Sequence, residues 1–191
     1  MNAILKVGDT DFQPVRLSRE AIVRLVDSGA LEGLGRVEII DRVMIETSPS
    51  WLPHARALSR IHLALGSRLA AAYEVTLDQL VLFGQDGLHA PDIAVFDGGV
   101  AKSEPDSGDL RFVVEVAEAS LEYELGLKAQ RYAAHGVPEL WGVDLVNRCL
   151  VVHRQPKAQG YAELRSLGWN EAAAPLILPG ARIVLAELLD T

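Results

Sequence analysis

Hydrophobic residues recur at helical spacing in three stretches of this 191-residue chain. Ser18 can cap a first helix over about 19–28. Ser48–Pro49–Ser50 then open a long helix over about 51–73, whose apolar stripe has spacings of three and four residues. A third helix is predicted over 121–135. The stripe of the long helix consists of Leu58, Ile61, Leu65, Leu69 and Ala72.

Between the helices, runs of β-branched and apolar residues predict strands. Residues 36–47 have the pattern of a hairpin that turns at Asp41–Arg42, and 110–117 is apolar on both faces except at Arg111 and Glu115. We see no repeat or linker, so we expect one α/β domain over 1–191, with 1–30 as an N-terminal helical lead-in. The first sixteen residues lack a clear period. Further strands are predicted over 75–83, 93–96, 137–146 and 149–154, a loop over 97–109, β-like pieces around 161–164, and a closing helix or strand over 183–189.

Composition narrows the class of protein. Apolar residues make up 49% and charged residues 23%, which is typical of a globular protein and excludes a disordered one. The net charge of -8 disfavours a protein that binds nucleic acid through bulk positive charge, although a local basic cleft would still allow it. The lone Cys149 excludes an internal disulfide framework or a cysteine zinc cluster, and a small buried hydrophobe is the simplest role for it. No stretch approaches the roughly 20 apolar residues of a membrane helix, and residues 1–15 lack the apolar core of a signal peptide. We therefore expect a cytoplasmic protein without membrane contact.

Two carboxylates in apolar, strand-like surroundings are the candidate chemistry. Asp92 follows Pro91 at the start of a strand, and Glu115 lies in the middle of another. A carboxylate inside an apolar strand is costly to desolvate unless a cation or hydrogen-bond donors meet it. If the two strands pair, Asp92 and Glu115 would suit Mg²⁺, a hard cation that takes oxygen ligands and keeps several waters.

Lys128 is the predicted partner of these carboxylates. It shares one face of the third helix with Leu121, Leu125 and Tyr132, at spacings of four, three and four residues. That face should pack on the sheet, so the lysine should point towards Glu115. A structural ion pair, or a lysine that snorkels to the helix edge, would give the same pattern.

Other polar residues are weaker candidates. Glu38 lies among apolar residues of a strand and could complete a metal shell, or it could simply face solvent. His54 extends the stripe of the long helix and could position a phosphate or water, although such a histidine is more often a satisfied core or rim group. Arg56, Arg60 and Arg68 could meet phosphates, but a row of charges on a helix is usually its solvated side.

These residues, in this order, resemble the Uma-two family of proposed endonucleases in the PD-(D/E)XK superfamily, over roughly residues 30–155. The resemblance implies a restriction-endonuclease-like fold with a central mixed β-sheet flanked by helices, and it implies Asp92 and Glu115 as the acidic pair. The lysine that usually follows the second acid by two residues is absent, because Ala117 stands there. In this family the lysine comes from the next helix, which points to Lys128. The residues that carry the resemblance are Val37–Asp41, His54, Pro91–Asp92, Val114–Val116 with Ser120, Lys128, Gly136–Trp141 and Val143–Asp144.

Some positions depart from the family pattern. Val37 stands where tyrosine is frequent, Arg42 where glycine is frequent, and Glu124 where aspartate is frequent, and residues 117–120 replace Leu-Ser-Pro-Ser. None of these changes removes a predicted metal ligand.

The sequence therefore predicts a metal-dependent endonuclease that uses Mg²⁺ or Mn²⁺ to hydrolyse DNA phosphodiester bonds. Asp92 and Glu115 would hold the metal, Lys128 would assist the chemistry, and Glu38 and His54 would support it. A non-catalytic DNA- or protein-binding module with the same fold is the alternative, and a hydrolase of another phosphate ester is a third. A homodimer would suit cutting both strands, and two-fold dimers are common.

Overall fold

The computed structural model describes residues 5–7, 10–12, 16–31, 36–47, 51–69, 72–85, 87–99, 104–118 and 121–190. The predicted opening of the long helix at Ser48–Ser50, the residue Ser120, and part of the loop over 97–109 lie outside these ranges. The chain divides into two compact units, Met1–Pro49 with Leu82–His89, and Ser50–Val81 with Ala90–Thr191. The single domain expected from the sequence stays a prediction.

The described residues contain four α-helices and fourteen strands. The helices are α1 (Arg19–Asp27), α2 (Leu52–Leu69), α3 (Leu121–Ala134) and α4 (Leu185–Leu189). The strands are β1 (Leu5–Val7), β2 (Thr10–Phe12), β3 (Arg36–Ile40), β4 (Val43–Thr47), β5 (Tyr73–Leu77), β6 (Val81–Phe83), β7 (Gly87–His89), β8 (Ile93–Asp97), β9 (Leu110–Ala117), β10 (Glu139–Asp144), β11 (Cys149–Lys157), β12 (Gly160–Gly168), β13 (Ala172–Ala173) and β14 (Ile183–Val184). None of these helices combines the length and apolar character that a membrane crossing requires.

The first unit contains the predicted N-terminal helix and hairpin. Ser18 caps α1 by accepting the N–H of Ala21 at 3.2 Å, as the sequence predicts. β3 and β4 pair through a turn in which Asp41 and Arg42 have φ of 51° and 69°, the left-handed geometry of a tight hairpin turn. The lead-in, expected to lack regular structure over its first sixteen residues, instead contains the antiparallel strands β1 and β2.

The second unit is built on a six-stranded sheet in the order β12-β11-β10-β9-β8-β5. β9 and β10 run parallel and the other neighbours run antiparallel, so the sheet is mixed. Val114 and Val116 of β9 belong to the same core as the apolar stripe of α2. Since side chains alternate along a strand, Glu115 points to the opposite face, where it meets residues of α3. One helix therefore covers each face of the central strands.

Four predicted elements differ from those observed. The run 75–83 contains two strands in separate sheets, because Asp78 adopts φ of 49° and turns the chain between β5 and β6. The long helix ends at Leu69 rather than near 73. The piece predicted around 161–164 is the nine-residue strand β12, and 183–189 holds a short strand followed by a helix. Cys149 is half-buried rather than buried, and desolvation raises the pKa of its thiol.

Glu139, at the start of β10, is a buried carboxylate that the sequence did not single out. It is fully buried and accepts hydrogen bonds from Arg154 Nε and Nη2 at 2.9 and 2.7 Å, from Trp141 Nε1 at 2.9 Å, and from Leu176 N at 2.6 Å. Arg154 also donates to the carbonyl of Ala174 at 2.8 Å. These bonds hold the segment around 174–176 against the sheet.

Candidate functional site

Asp92 lies where the ladder between β8 and β9 ends. The last paired residues are Ile93 and Val114, and Asp92 comes directly before them in the chain. Its Oδ2 accepts the backbone N–H of Val116 at 2.8 Å, and the residue is only 2% exposed. The carboxylate thus takes the place of a strand partner next to Glu115, which explains how a charged group is held at this buried position.

Glu115 carries the second buried carboxylate, with an exposure of 5%. Lys128 Nζ lies 3.3 Å from both of its carboxylate oxygens. The Tyr132 hydroxyl also donates to Glu115 Oε1. The predicted inward direction of Lys128, towards Glu115, is confirmed. The side chains of Leu121 and Leu125, which helped to define the predicted stripe, lie outside the described part of α3.

His54 joins this group from the first turn of α2. Its Nε2 lies 3.2 Å from Asp92 Oδ2, and both side chains are at least nine-tenths buried. Its backbone N–H donates to Glu118 Oε1 at 2.9 Å, which satisfies a donor at the start of the helix. The structure therefore brings His54 to Asp92, at the end of β9 that also carries Glu115.

Glu38 belongs to the first unit and is fully buried in β3. The alternative that it faces solvent is therefore wrong. Its Oε2 lies 3.9 Å from Nδ1 of the buried His89. In the same unit, a Cβ on Gly87 would come within 2.5 Å of the carbonyl oxygen of Ile39, so the backbones pack closely beside this pair. A contribution of Glu38 to a metal shell stays a prediction.

Two residues of the site were missed by the sequence reasoning. The helical spacing predicts Tyr132 on the inward face of the third helix, but it does not indicate that its hydroxyl has a role. A tyrosine one turn beyond an inward lysine presents its hydroxyl to the same strand carboxylate, and this spacing was the available signal. Glu118 gave no such signal, because its partner is a backbone amide that lies 64 residues earlier.

Two arginines of the row on α2 are bonded to carbonyl groups of the protein itself. Arg60 donates to the carbonyl of Leu188 at 3.0 Å, and Arg68 donates to the carbonyl of Ala64 at 2.9 Å. Arg56, near the start of the helix, is exposed. The row as a whole therefore does not face one ligand.

The donor set at Asp92 and Glu115 fits a hard divalent cation. Both residues offer carboxylate oxygens in a nearly water-free setting, and Mg²⁺ is commonly held by one or two carboxylates together with water. Within the described ranges, no cluster of three or more histidine, cysteine, aspartate or glutamate residues has the arrangement of a metal site. A closed zinc site, which needs four such ligands, therefore does not fit these residues.

Comparisons with known proteins bear on the fold and the family of the chain. A solved structure described as "a putative nuclease belonging to DUF820 from Anabaena variabilis ATCC 29413" matches with a TM-score of 0.72 at 16% identity, over 91% of this chain and 98% of that chain. The fold is therefore the predicted restriction-endonuclease-like α/β fold. No curated protein matched significantly. The model of the Uma2 family, described as "Putative restriction endonuclease", matches residues 25–186, and the chain belongs to this family.

Proposed function

We propose that the protein is a metal-dependent endonuclease that hydrolyses phosphodiester bonds of DNA. The observation that carries the proposal is the cation–carboxylate group at the end of β9. A buried Glu115 there meets the amine of Lys128 at 3.3 Å, and Asp92 directly precedes the neighbouring strand β8. Membership in a family described as restriction endonucleases supports the same reaction.

Asp92 and Glu115 would hold the cation, Mg²⁺ or Mn²⁺. When bound there, the cation would polarise the scissile phosphate and make an attacking water more acidic. Their burial supports this role, because carboxylates in a low-dielectric site attract a cation more strongly than carboxylates in water.

The other side chains position these groups and compensate charge. Lys128 Nζ donates to a non-bridging phosphate oxygen or to the attacking water, and so stabilises the negative charge that develops in the transition state. Tyr132 fixes the Glu115 carboxylate through its hydroxyl. His54 Nε2 fixes Asp92 Oδ2 in the same manner. These contacts hold the two acids in one arrangement before substrate arrives, which lowers the reorganisation that the reaction needs.

A non-catalytic module that binds DNA or protein is the second candidate. The observation in its favour is that each carboxylate already has protein donors, Val116 and His54 for Asp92, and Lys128 and Tyr132 for Glu115. The net charge of -8 also favours a protein partner. A homodimer and a cytoplasmic location remain expectations under both functions.

Cleavage of plasmid and single-stranded DNA tests the proposal, with Mg²⁺, Mn²⁺ or EDTA. Asp92→Asn and Lys128→Met should each cut at least about a hundredfold more slowly than wild type. Asp97→Asn is the matched control. Asp97 ends β8, the strand that Asp92 precedes, but its side chain is 51% exposed and paired with Arg111. Equal rates for wild type and Asp92→Asn would refute the site. No cutting with either metal, together with retained DNA or protein binding, would favour the binding module.

A further inference from the structure

A small polar pocket lies beside the start of α2, in the same unit as the candidate site. The cavity has a volume of about 180 Å³ and includes Pro53, Arg56 and Ala57 in its lining. These three residues surround His54 in the sequence and share the first turns of the helix. Leu145, also in the lining, donates its N–H to the carbonyl of Ala117 at 3.1 Å, two residues beyond Glu115. The pocket therefore adjoins the ends of the elements that carry the candidate catalytic group.

Arg148 lies at the wall of this pocket, and its neighbours position it. It ends the turn between β10 and β11, with φ of 51°. Asp144 fixes that turn, because its Oδ1 accepts the N–H groups of Val146 and Asn147 at 3.0 and 2.8 Å. The central carbon of the guanidinium lies 4.8 Å from the centroid of the Trp169 ring, a cation–π contact that helps to position the guanidinium. A pre-positioned guanidinium of this kind is suited to a planar carboxylate or a phosphate.

The carboxylate of Asp190 now occupies the anion position of the pocket. Its Oδ2 accepts from Arg148 Nη2 at 2.6 Å, and its Oδ1 accepts from Trp169 Nε1 at 3.1 Å. The hydrogen bond from Arg148 holds the pKa of this carboxyl below its usual range. Arg148 and Asp190 are 53% and 43% exposed, and such an exposed ion pair contributes little to folding stability. Both groups can therefore exchange partners.

We propose that this pocket binds a phosphodiester group of the DNA backbone, and that the phosphate displaces Asp190 from Arg148. The inference rests on the proposed function, because it names a contact of the same substrate next to the same site. Arg148 is the main ligand, and the exposed Arg56, which also lines the pocket, supplies a second cation. Contacts of this kind carry no sequence information, but they fix the register of a protein on DNA.

The proposal predicts that substitutions of Arg148 and of Asp190 change the affinity for DNA in opposite directions. Binding of a fluorescently labelled DNA duplex is measured by anisotropy in EDTA, so that cleavage does not interfere. Arg148→Ala should weaken binding about three- to tenfold and should reduce the slope of log affinity against log salt concentration by about one. Asp190→Asn should tighten binding about two- to fivefold, since it removes the competing anion. Thermal unfolding of each variant is measured to check that it is folded.

The pair formed by Arg111 and Asp97 supplies matched controls. Their Nη2 and Oδ2 atoms lie 2.5 Å apart, and their side chains are 37% and 51% exposed. Arg111→Ala and Asp97→Asn make the same charge changes away from the pocket, so each should alter affinity less than about twofold. The proposal is overturned if Asp190→Asn binds the duplex no more tightly than wild type. It is also overturned if the control pair shifts affinity as much as Arg148 and Asp190.

A second probe separates DNA from a free anion. Inorganic phosphate that binds in an Arg148-dependent manner, without binding of the duplex, would assign the pocket to a small phosphate ester and overturn the DNA proposal. Absence of duplex binding by the wild-type protein overturns it as well. The proposed nuclease function is judged separately, by cleavage in Mg²⁺ with Asp92→Asn. The two proposals therefore fail through different measurements.

Discussion

Replacing Lys128 by methionine should leave the Glu115 carboxylate without its cation while preserving the length of the side chain. The two side chains are 15% and 7% exposed, and the amine contacts both carboxylate oxygens at 3.3 Å. Removing one partner of a buried pair costs about 3–5 kcal/mol. Because the Tyr132 hydroxyl still donates to Glu115, we expect a cost smaller than this, about 2–3 kcal/mol. For a chain of this size, that loss corresponds to a Tm lowered by about 4–12 °C.

A divalent cation should reverse part of this loss. In the wild-type protein a bound cation would share the Glu115 oxygens with Lys128, whereas in Lys128→Met it would meet a Glu115 carboxylate that has lost the Lys128 amine. Since a ligand at about a hundred times its Kd stabilises a protein by about 2.7 kcal/mol, MgCl₂ can restore most of the lost stability. Thermal unfolding in EDTA and in saturating MgCl₂ measures the effect. We expect the rise in Tm with Mg²⁺ to be larger for Lys128→Met than for wild type.

Two controls assign the effect to Glu115. Lys157→Met makes the same change at an exposed lysine of β11 and should leave the Tm and its response to Mg²⁺ unchanged. The double variant Lys128→Met/Glu115→Gln removes the orphaned charge, so it should be more stable in EDTA than Lys128→Met and should lose the added response to Mg²⁺. Equal responses of wild type and Lys128→Met would refute the reasoning.

The remaining predictions concern Tyr132, the ion pair of Arg154 with the buried Glu139, and His153. Tyr132→Phe should lower the free energy of unfolding by about 1.5–3 kcal/mol, because it removes the hydrogen bond to Glu115. The same variant should reduce kcat with little change in KM. An unchanged kcat would contradict a positioning role for Tyr132. Arg154→Met should lower the free energy of unfolding, measured in urea, by about 3–5 kcal/mol, because it leaves Glu139 without this cation. The double variant Arg154→Met/Glu139→Gln should recover part of that free energy. A single variant as stable as wild type would contradict this account. Burial lowers the pKa of His153 from its ordinary 6.5. As the pH falls, the unfolded chain therefore takes up a proton at this histidine before the folded protein does. The free energy of unfolding should consequently decline below about pH 6.5. Urea unfolding at about pH 7.5 and pH 5.5 should show a smaller decline for His153→Phe than for wild type, and equal declines would refute it.

Much of the central sheet and the key charge pair could be predicted from local pattern. Strand β9 has the bounds that its apolar run indicates, because a strand covered on both faces leaves a continuous hydrophobic signature. The direction of Lys128 followed from helical spacing, since residues three and four apart share a face. In both cases the neighbours in sequence already determine the environment.

Other features depend on contacts between distant residues, which local pattern does not contain. Glu139 is a charged residue among apolar neighbours in the sequence. Its pairing with Arg154 follows from the register between β10 and β11, which the local sequence does not contain. The split of 75–83 into two strands depends on the positive φ of Asp78, a conformation that aspartate adopts only when the surroundings favour it. The pocket beside the start of α2 likewise combines residues that lie up to 137 positions apart, from Pro53 to Asp190.

Lys128 lies on α3 and not on β9, so its amine is carried by a different element from the carboxylates of Asp92 and Glu115. Asp92 and Glu115 are fixed by the sheet, whereas Lys128 and Tyr132 reach Glu115 only while α3 is docked. A local opening of that helix would remove both groups and leave the strands paired. Activity in mild denaturant should therefore follow amide hydrogen exchange within α3, and should be lost before the sheet itself unfolds.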